Sequence, residues 1–325
     1  MRPFTYASAS TVEEALAGAG ADSAYLAGGT TLVDLMKLEV MSPAAVLNID
    51  TLPLRDIRHD HTGLHVGALA RMSDVAAHRL VTARYPVISQ ALLHSASPQL
   101  RNMASIGGNV LQRTRCGYFR DPATACNKRT PGSGCAAITG YNRAHAVLGT
   151  SESCVATHPS DLAVALVALD ASVLLRDRAG ERAVRLADFY LLPGDTPHLE
   201  NRLRPGELLA GVTVPPLSWA RRSTYVKVRD RRPYEFALTS VAAAVDLRGD
   251  TIADVRLAAG GVGTKPWRLP AVEDALRSRP LRADTVKAAV THAADDATPL
   301  SHNGFKPELL RRTIVRALLT LAGRP

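Results

Sequence analysis

Between Leu111 and Thr157 the apolar residues lose any helical or strand period, yet this stretch holds all four cysteines of the 325-residue chain. A long segment without periodic apolar residues cannot bury a face of its own, so something other than apolar packing must hold it. The cysteines stand at Cys116, Cys126, Cys135 and Cys154, a C-x9-C-x8-C-x18-C spacing. Four thiols inside one aperiodic insert are poorly explained as scattered core packing. They are candidate metal ligands, and a thiolate tetrad suits either an iron–sulfur cluster or zinc. The paired C-x2-C knuckles of structural zinc are missing. Disulfides are the remaining alternative, disfavoured in a reducing cytoplasm and permitted in an exported complex.

On either side of the insert, order is legible. Thr11 followed by Glu14 is a capping-box signature opening a helix over Val12–Ala17. Ala24–Leu26 reads as a short strand, Thr31–Leu38 as a helix and Val46–Ile49 as the next strand, a βαβ-like unit. Leu64–Leu69 alternates like a strand, Ser73 is placed to cap a helix through Arg79, and Pro86 opens a helix containing Val87–Leu93. Asp161–Leu169 reads as a buried helix, with strands at Ser172–Arg176, Leu209–Val214 and Ser223–Val228. Pro215-Pro216 marks a candidate domain boundary. Beyond it, Thr239–Leu247 and Thr251–Ala259 flank the turn Arg248-Gly249-Asp250 as a hairpin. Helices are expected over Ala271–Ser278, Thr285–Ala294 and Glu308–Ala322.

Two glycine pairs stand out. The first lies in Leu26-Ala27-Gly28-Gly29-Thr30-Thr31-Leu32-Val33-Asp34, a strand, turn and helix. Adjacent glycines lack the Cβ atoms that keep an anion from the backbone, and a following helix start adds oriented N–H groups. The second lies in Arg101-Asn102-Met103-Ala104-Ser105-Ile106-Gly107-Gly108-Asn109, with hydroxyl and amide side chains beside it. Two amide-lined turns could together serve a diphosphate, although either pair alone is as readily a tight turn. The dinucleotide fingerprint is absent: Gly18-Ala19-Gly20 follows a helix, and its third glycine position is Ser23.

Bulk properties exclude several classes. The net charge is +9, but the basic residues are scattered, without a tract or an aromatic-interleaved motif, so nucleic acid is not an expected partner. No apolar run reaches the roughly 18–20 residues that span a bilayer, since Leu162–Leu175 is broken by Asp170. Membrane insertion is not expected. The N-terminus lacks a secretion pattern, which makes the cytoplasm the default. A periplasmic location through co-export with a signal-bearing partner would leave no trace in this sequence.

The two glycine motifs, in this order and separation, resemble the FAD-binding medium subunits of the molybdenum hydroxylases, the xanthine dehydrogenase family, over the whole chain. The resemblance implies an α+β fold: a two-subdomain FAD cradle of the vanillyl-alcohol-oxidase type, then a C-terminal α+β domain of the CO-dehydrogenase flavoprotein type. It places the FAD-binding domain at 1–216, with subdomains at about 1–57 and 58–216 and the cysteine insert at 111–157, and the C-terminal domain at 217–325. It implies that Leu26 to Asp34 wrap the pyrophosphate and ribose, and that Ser105, Gly108 and Asn109 add donors. By the same match Asp161 holds the adenosine half, and Leu209 and Lys227 lie near the isoalloxazine ring. Tyr118 and Tyr234 are further candidates for a flavin face, and His158 is read as structural.

Most members of that family lack such an insert. Gln112-Arg113-Thr114-Arg115-Cys116, Cys126-Asn127-Lys128-Arg129 and Pro131-Gly132-Ser133-Gly134-Cys135 resemble the branch of bacterial periplasmic aromatic aldehyde oxidoreductases, whose insert carries a 4Fe–4S cluster. The implied partners are a large molybdenum-cofactor subunit, which oxidises the aldehyde, and a small subunit with 2Fe–2S clusters. Electrons would pass from those clusters to FAD here and on to an external acceptor. No catalytic acid or base is expected in this chain. Arg113, Arg115, Arg120, Lys128, Arg129 and Arg143 surround the cysteines in sequence, where nearby positive charge would raise a cluster's potential; subunit contact or plain solubility explains them at least as well. Two alternatives stay open: a flavin subunit of a hydroxybenzoyl-CoA-reductase-like complex, and a zinc-stapled interaction protein without flavin.

Overall fold

The computed structural model describes residues 1–231 and 235–323, so Tyr234 lies outside the described residues. The chain opens with the expected capping box: the Glu14 amide donates to Thr11 Oγ1 at 3.1 Å, and the Ser10 amide donates to Glu14 Oε2 at 2.7 Å. With both ends of that bond pair satisfied, the helix Val12–Gly18 starts cleanly. It connects strands Thr5–Ser8 and Ser23–Leu26, both of which pair in parallel with the central strand Ala45–Asn48.

A five-stranded antiparallel sheet follows, ordered Ile57–Asp60, Gly63–Gly67, Leu208–Val214, Ser172–Asp177, Gly180–Arg185. Its two edge strands are largely polar, which is how proteins blunt exposed edges. The same polarity hides them from an apolar pattern. The helix expected to start after Ser73 instead begins earlier, at Met72–Ala77. Ser73 sits inside its first turn and bonds Asp74. Extended backbone at His78 then separates it from a second helix, Arg79–Arg84.

All eight residues of the helix Asp161–Ala168 are buried. A helix apolar on every side has no wet face, and this one is sandwiched. Against it lies the C-terminal sheet, ordered Trp267–Arg268, Thr251–Gly260, Thr239–Arg248, Ser223–Val228 and antiparallel throughout. Alternate residues of a strand face opposite sides. Ala242, Ala244 and Ala258 join the apolar cluster around the sandwiched helix, whereas Val241, Val245 and Leu257 join a second cluster beneath the helix Lys306–Leu321. The small face permits close approach: a Cβ on Gly260 would stand 2.5 Å from Val164 Cγ2. Among the described residues no helix is long and apolar enough to cross a membrane.

The cysteine insert contains one short helix, Gly117–Arg120. Polar side chains, partly or fully buried, order the remainder by bonding its backbone. Arg129 donates to the carbonyls of Tyr118 and Phe119, each at 2.8 Å, and to that of Thr124. Asn127 ties Ser153 O at 3.1 Å to the Gly134 amide at 2.7 Å. Asn142, fully buried, reaches three further carbonyls.

Candidate functional site

The two glycine turns touch. A Cβ on Gly28 would lie 1.9 Å from Met103 O and 3.2 Å from Ala104 Cα, so only glycine lets this turn meet the end of the helix Pro98–Met103. Gly29 has a φ of +71°, the left-handed region that favours glycine. Arg71 clamps the junction, donating to Met103 O and, at 2.7 Å, to Asp50 Oδ2. Sequence reasoning passed over Arg71 because nothing local distinguishes it.

The turns nevertheless differ. Among the described residues, the amides of Gly28 to Leu32 have no protein acceptor, while Val33 and Leu35 close the first turn of the helix Leu32–Lys37 onto Gly29 and Thr31. In the second turn the Ile106 amide donates to Ala70 O, Gly107 to Ala68 O, Asn109 to Ser105 O and Gly108 to Ser105 Oγ. Its backbone donors are spent on the protein. The Ser105 hydroxyl only accepts in that contact, so its own proton stays available. Asn109 is used at both ends, taking a 2.6 Å bond from Ser160 Oγ and giving one to Met72 Sδ. Leu209 packs beneath this turn, with Cδ2 3.4 Å from where a Gly107 Cβ would be, and lines neither of the cavities described next.

Thr30, Asp34, Asn109, Asp161 and Lys227 are brought together around one cavity of 360 Å³. A neighbouring cavity of 610 Å³ shares Arg115, Pro159, Asp161, Glu235 and Phe236 with it and continues to Cys116, Tyr118, His145 and His158. The result is one long cleft between the glycine turns, the insert and the C-terminal sheet, of the size that small-molecule sites occupy. Phe236 divides it, 47% exposed, with the Arg115 guanidinium 5.4 Å from its ring centre. An exposed phenylalanine in a polar segment gives no periodic signal, and it too escaped the sequence.

Asp161 and Lys227 face each other rather than solvent. Lys227 Nζ lies 2.7 Å from Asp161 Oδ2 with its side chain only 2% exposed, and it also donates to His94 O. Ser95 and Tyr225 hydroxyls complete the carboxylate's shell at 3.0 and 2.7 Å. Burial and the Asp161 charge hold the Tyr225 hydroxyl far above its ordinary range, so it remains a donor. A buried carboxylate with an ammonium and two hydroxyls is fully satisfied. It joins the sandwiched helix to the strand Ser223–Val228.

Of the four thiols, Cys116 lines the cleft, while Cys154 lines a separate small cavity behind it. Cys126 and Cys135 pair across a backbone bridge, and all four are free of disulfides. Burial pushes Cys116 up to about 12, with Cys126 and Cys154 adding their charge. Burial likewise raises Cys154, which also feels Cys135 and Cys126. Backbone amides of Tyr118 and Phe119 point at Cys116 and that of Ala156 at Cys154. Among the described residues no three His, Cys, Asp or Glu side chains close on a single point as one metal ion requires.

The basic residues around the thiols are each engaged with carboxylates or carbonyls. Arg115 and Arg120 donate to Asp34 Oδ2 at 3.4 and 2.7 Å, fastening the insert to the first glycine turn. Arg113 and Lys128 hold Glu200 at 2.5 and 3.1 Å. Burial opposes ionisation of Glu200, yet these two cations outweigh it and keep its carboxyl below the usual value. Arg143 pairs with Asp230, and Arg129 is spent on carbonyls.

The comparisons with known proteins agree with this architecture. A family model described as the FAD binding domain in molybdopterin dehydrogenase matches residues 2–217, and one described as the CO dehydrogenase flavoprotein C-terminal domain matches 224–322. The aldehyde oxidoreductase FAD-binding subunit PaoB of Escherichia coli is 48% identical over 98% of both chains. The glyceraldehyde dehydrogenase medium chain of Sulfolobus acidocaldarius is 31% identical over 97% of this chain and 95% of its own. Carbon monoxide dehydrogenase from Hydrogenophaga pseudoflava shares the fold, with a TM-score of 0.76 at 24% identity over 99% of this chain and 98% of that one. On the matched domains, the whole-length identity and the shared α+β architecture, the chain belongs to the family of FAD-binding medium subunits of the molybdenum hydroxylases.

Proposed function

We propose that this chain is the FAD-carrying electron-transfer subunit of a molybdenum-containing aldehyde oxidoreductase. It receives electrons from 2Fe–2S clusters of a small partner subunit, after a large molybdenum-cofactor subunit has oxidised the aldehyde, and delivers them to an external acceptor. The observation that carries the reading is the run of unpartnered amides from Gly28 to Leu32 beside a cleft whose lining includes Thr30 in one cavity and Cys116 in the other. FAD supplies a carrier that takes electrons singly and gives them in pairs. The segment Leu26, Ala27, Gly28, Gly29, Thr30, Thr31, Leu32, Val33 and Asp34 would hold the diphosphate and ribose through those amides. Ser105 adds a hydroxyl proton. Gly108 and Asn109 shape the second wall, and Leu209 supports it from below. Asp161 would serve the adenosine half; Lys227, expected near the isoalloxazine ring, lies 2.7 Å from Asp161, so both would serve the same end of the flavin. The working units are 1–216, divided near residue 57 and carrying the insert 111–157, and 217–325.

Cys116, Cys126, Cys135 and Cys154 would ligate a 4Fe–4S cluster. In support, Cys116 feels the charge of Cys126 and Cys154, and Cys154 that of Cys126 and Cys135; that mutual repulsion disfavours free thiolates, and a bound cationic centre would relieve it. The chain works where its partners work: in the cytoplasm by default, or in the periplasm if a signal-bearing partner carries it there. The test is anaerobic purification with partners, followed by release and chromatography of the flavin and by iron and zinc analysis. One FAD with stoichiometric iron is expected; a flavin-free chain, or one holding zinc, refutes the corresponding half.

A further inference from the structure

We propose that the chain carries a second ligand site, separate from the flavin cleft, for a small organic monocarboxylate held between Lys265 and Trp267. A cavity of 370 Å³ opens beside these residues and shares no lining residue with the cleft. That volume lies within the range of small-molecule sites. Ala187 lines it from the domain matched at 2–217, whereas Lys265, Trp267 and Leu269 belong to the domain matched at 224–322. Ligand sites favour such junctions.

The chemistry of the cavity follows from which of its groups already have partners. Among the charged residues lining it, Arg268 is bound to Asp170 and Glu273, and His292 to Asp295. Lys265 is half-buried; its Nζ donates to Ala187 O at 3.0 Å, and among the described residues it forms no ion pair. Burial pulls its ammonium below the ordinary lysine value; Asp188 opposes that depression and Arg202 adds to it. An ammonium has three protons, so this one keeps donors for a ligand. Trp267 supplies another. A Cβ on Gly149 would stand 2.6 Å from its Cζ3, and one on Gly263 would stand 3.3 Å from its Cε3, so the six-membered edge of the indole packs onto two glycines. The N–H lies on the opposite edge and has no acceptor among the described residues. Leu269, Val272, Ala293 and Ala294, all buried, give the cavity an apolar wall. A carboxylate on an apolar body matches this arrangement, its two oxygens taking the two donors and its body covering the wall. Asp296, exposed on the same cavity, repels a second negative charge and so selects a monoanion over phosphate or a dicarboxylate.

The test uses the full chain with benzoate as the probe and with benzyl alcohol and inorganic phosphate as controls. Trp219 and Trp267 are the only tryptophans, so Trp219→Phe leaves Trp267 as the sole indole reporter in fluorescence titrations. Calorimetry on the unsubstituted chain gives the stoichiometry. One saturable benzoate site per chain is expected, weakened at least about tenfold in Lys265→Met, tightened in Asp296→Asn, and matched by neither control. Absence of a saturable benzoate response overturns the proposal. Equal affinity in a folded Lys265→Met chain also overturns it, because benzoate then binds elsewhere, and so does phosphate competing as well as benzoate. Where Lys265→Met fails to fold, the surface variant Asp296→Asn decides, and an unmoved affinity there overturns the site. Flavin content, measured on the same samples, tests the flavin reading separately.

Discussion

At Gly28 and Gly29 the backbone meets its neighbour edge to edge and keeps five successive amides without a protein acceptor; at Gly107 and Gly108 the amides are all consumed by Ala68 and Ser105. The two pairs look alike in sequence, but Gly28 and Gly29 precede the helix Leu32–Lys37 whereas Gly107 and Gly108 lie inside the short helix Ile106–Val110. One is open and one is closed. The closed turn is wired inward, from Asn109 to Ser160 and from there to Asp161 and Lys227. What separates a ligand turn from a scaffold turn is therefore where the N–H groups go, which the glycines themselves do not specify.

That contrast can be broken in several ways. The largest effect is expected from Lys227→Met, which strands Asp161 as a buried, unpaired carboxylate. Such losses cost about 3–5 kcal/mol, read as a lowered midpoint in denaturant unfolding, and adding Asp161→Asn should return part of it. A double variant no better than the single one would detach the pair from the scaffold.

Acid should weaken the same inward path. Burial depresses His158, which lines the cleft beside Ser160, to about 4. The unfolded ring protonates near 6.5, so between about pH 6.5 and 4 the unfolded chain binds more protons and the folded state loses ground. Stability is fully present above that window and falls by up to about 3 kcal/mol through it. A His158→Gln chain should lose that part of the slope.

Gly28→Ala comes next. Its Cβ must displace Met103 O, a backbone atom, at a cost of about 1–3 kcal/mol, and flavin per chain should fall several-fold in absorbance spectra. The smallest effect is expected from Ser105→Ala, about 1 kcal/mol for a lost helix cap, with a weaker loss of flavin than at Gly28. Equal flavin loss in the two variants would make both turns ligand turns and end the distinction.

Much of the fold was legible because it obeys local rules. Thr11 and Glu14 announced their helix, and Gly249, at a φ of +66°, announced the hairpin between Thr239–Arg248 and Thr251–Gly260. The edge strands Ile57–Asp60 and Gly180–Arg185 were not, since a strand with a solvated edge has little apolar alternation to display. Pro98–Met103 was missed although Ser97 caps it and Pro98 opens it; no residue of that helix is buried, so no periodic face was there to read. In the cleft, the expected Thr30, Asp34, Asn109, Asp161 and Lys227 line one cavity, and the residues placed there by contact alone gave no signal. Arg71, His145 and Phe236 owe their places to partners 32, 29 and 121 positions away. No window along the chain contains those pairs.

The alanine face of the C-terminal sheet has a mechanical meaning. Ala242, Ala244 and Ala258 hold the sandwiched helix at the separation a single methyl group allows. Methyl groups have no rotamers to change, so this seam can neither swell nor slide without opening a void. A layer of fixed-length spacers thus acts as a ruler, holding the helix Asp161–Ala168, and with it Asp161, at one distance from the C-terminal sheet that carries Lys227.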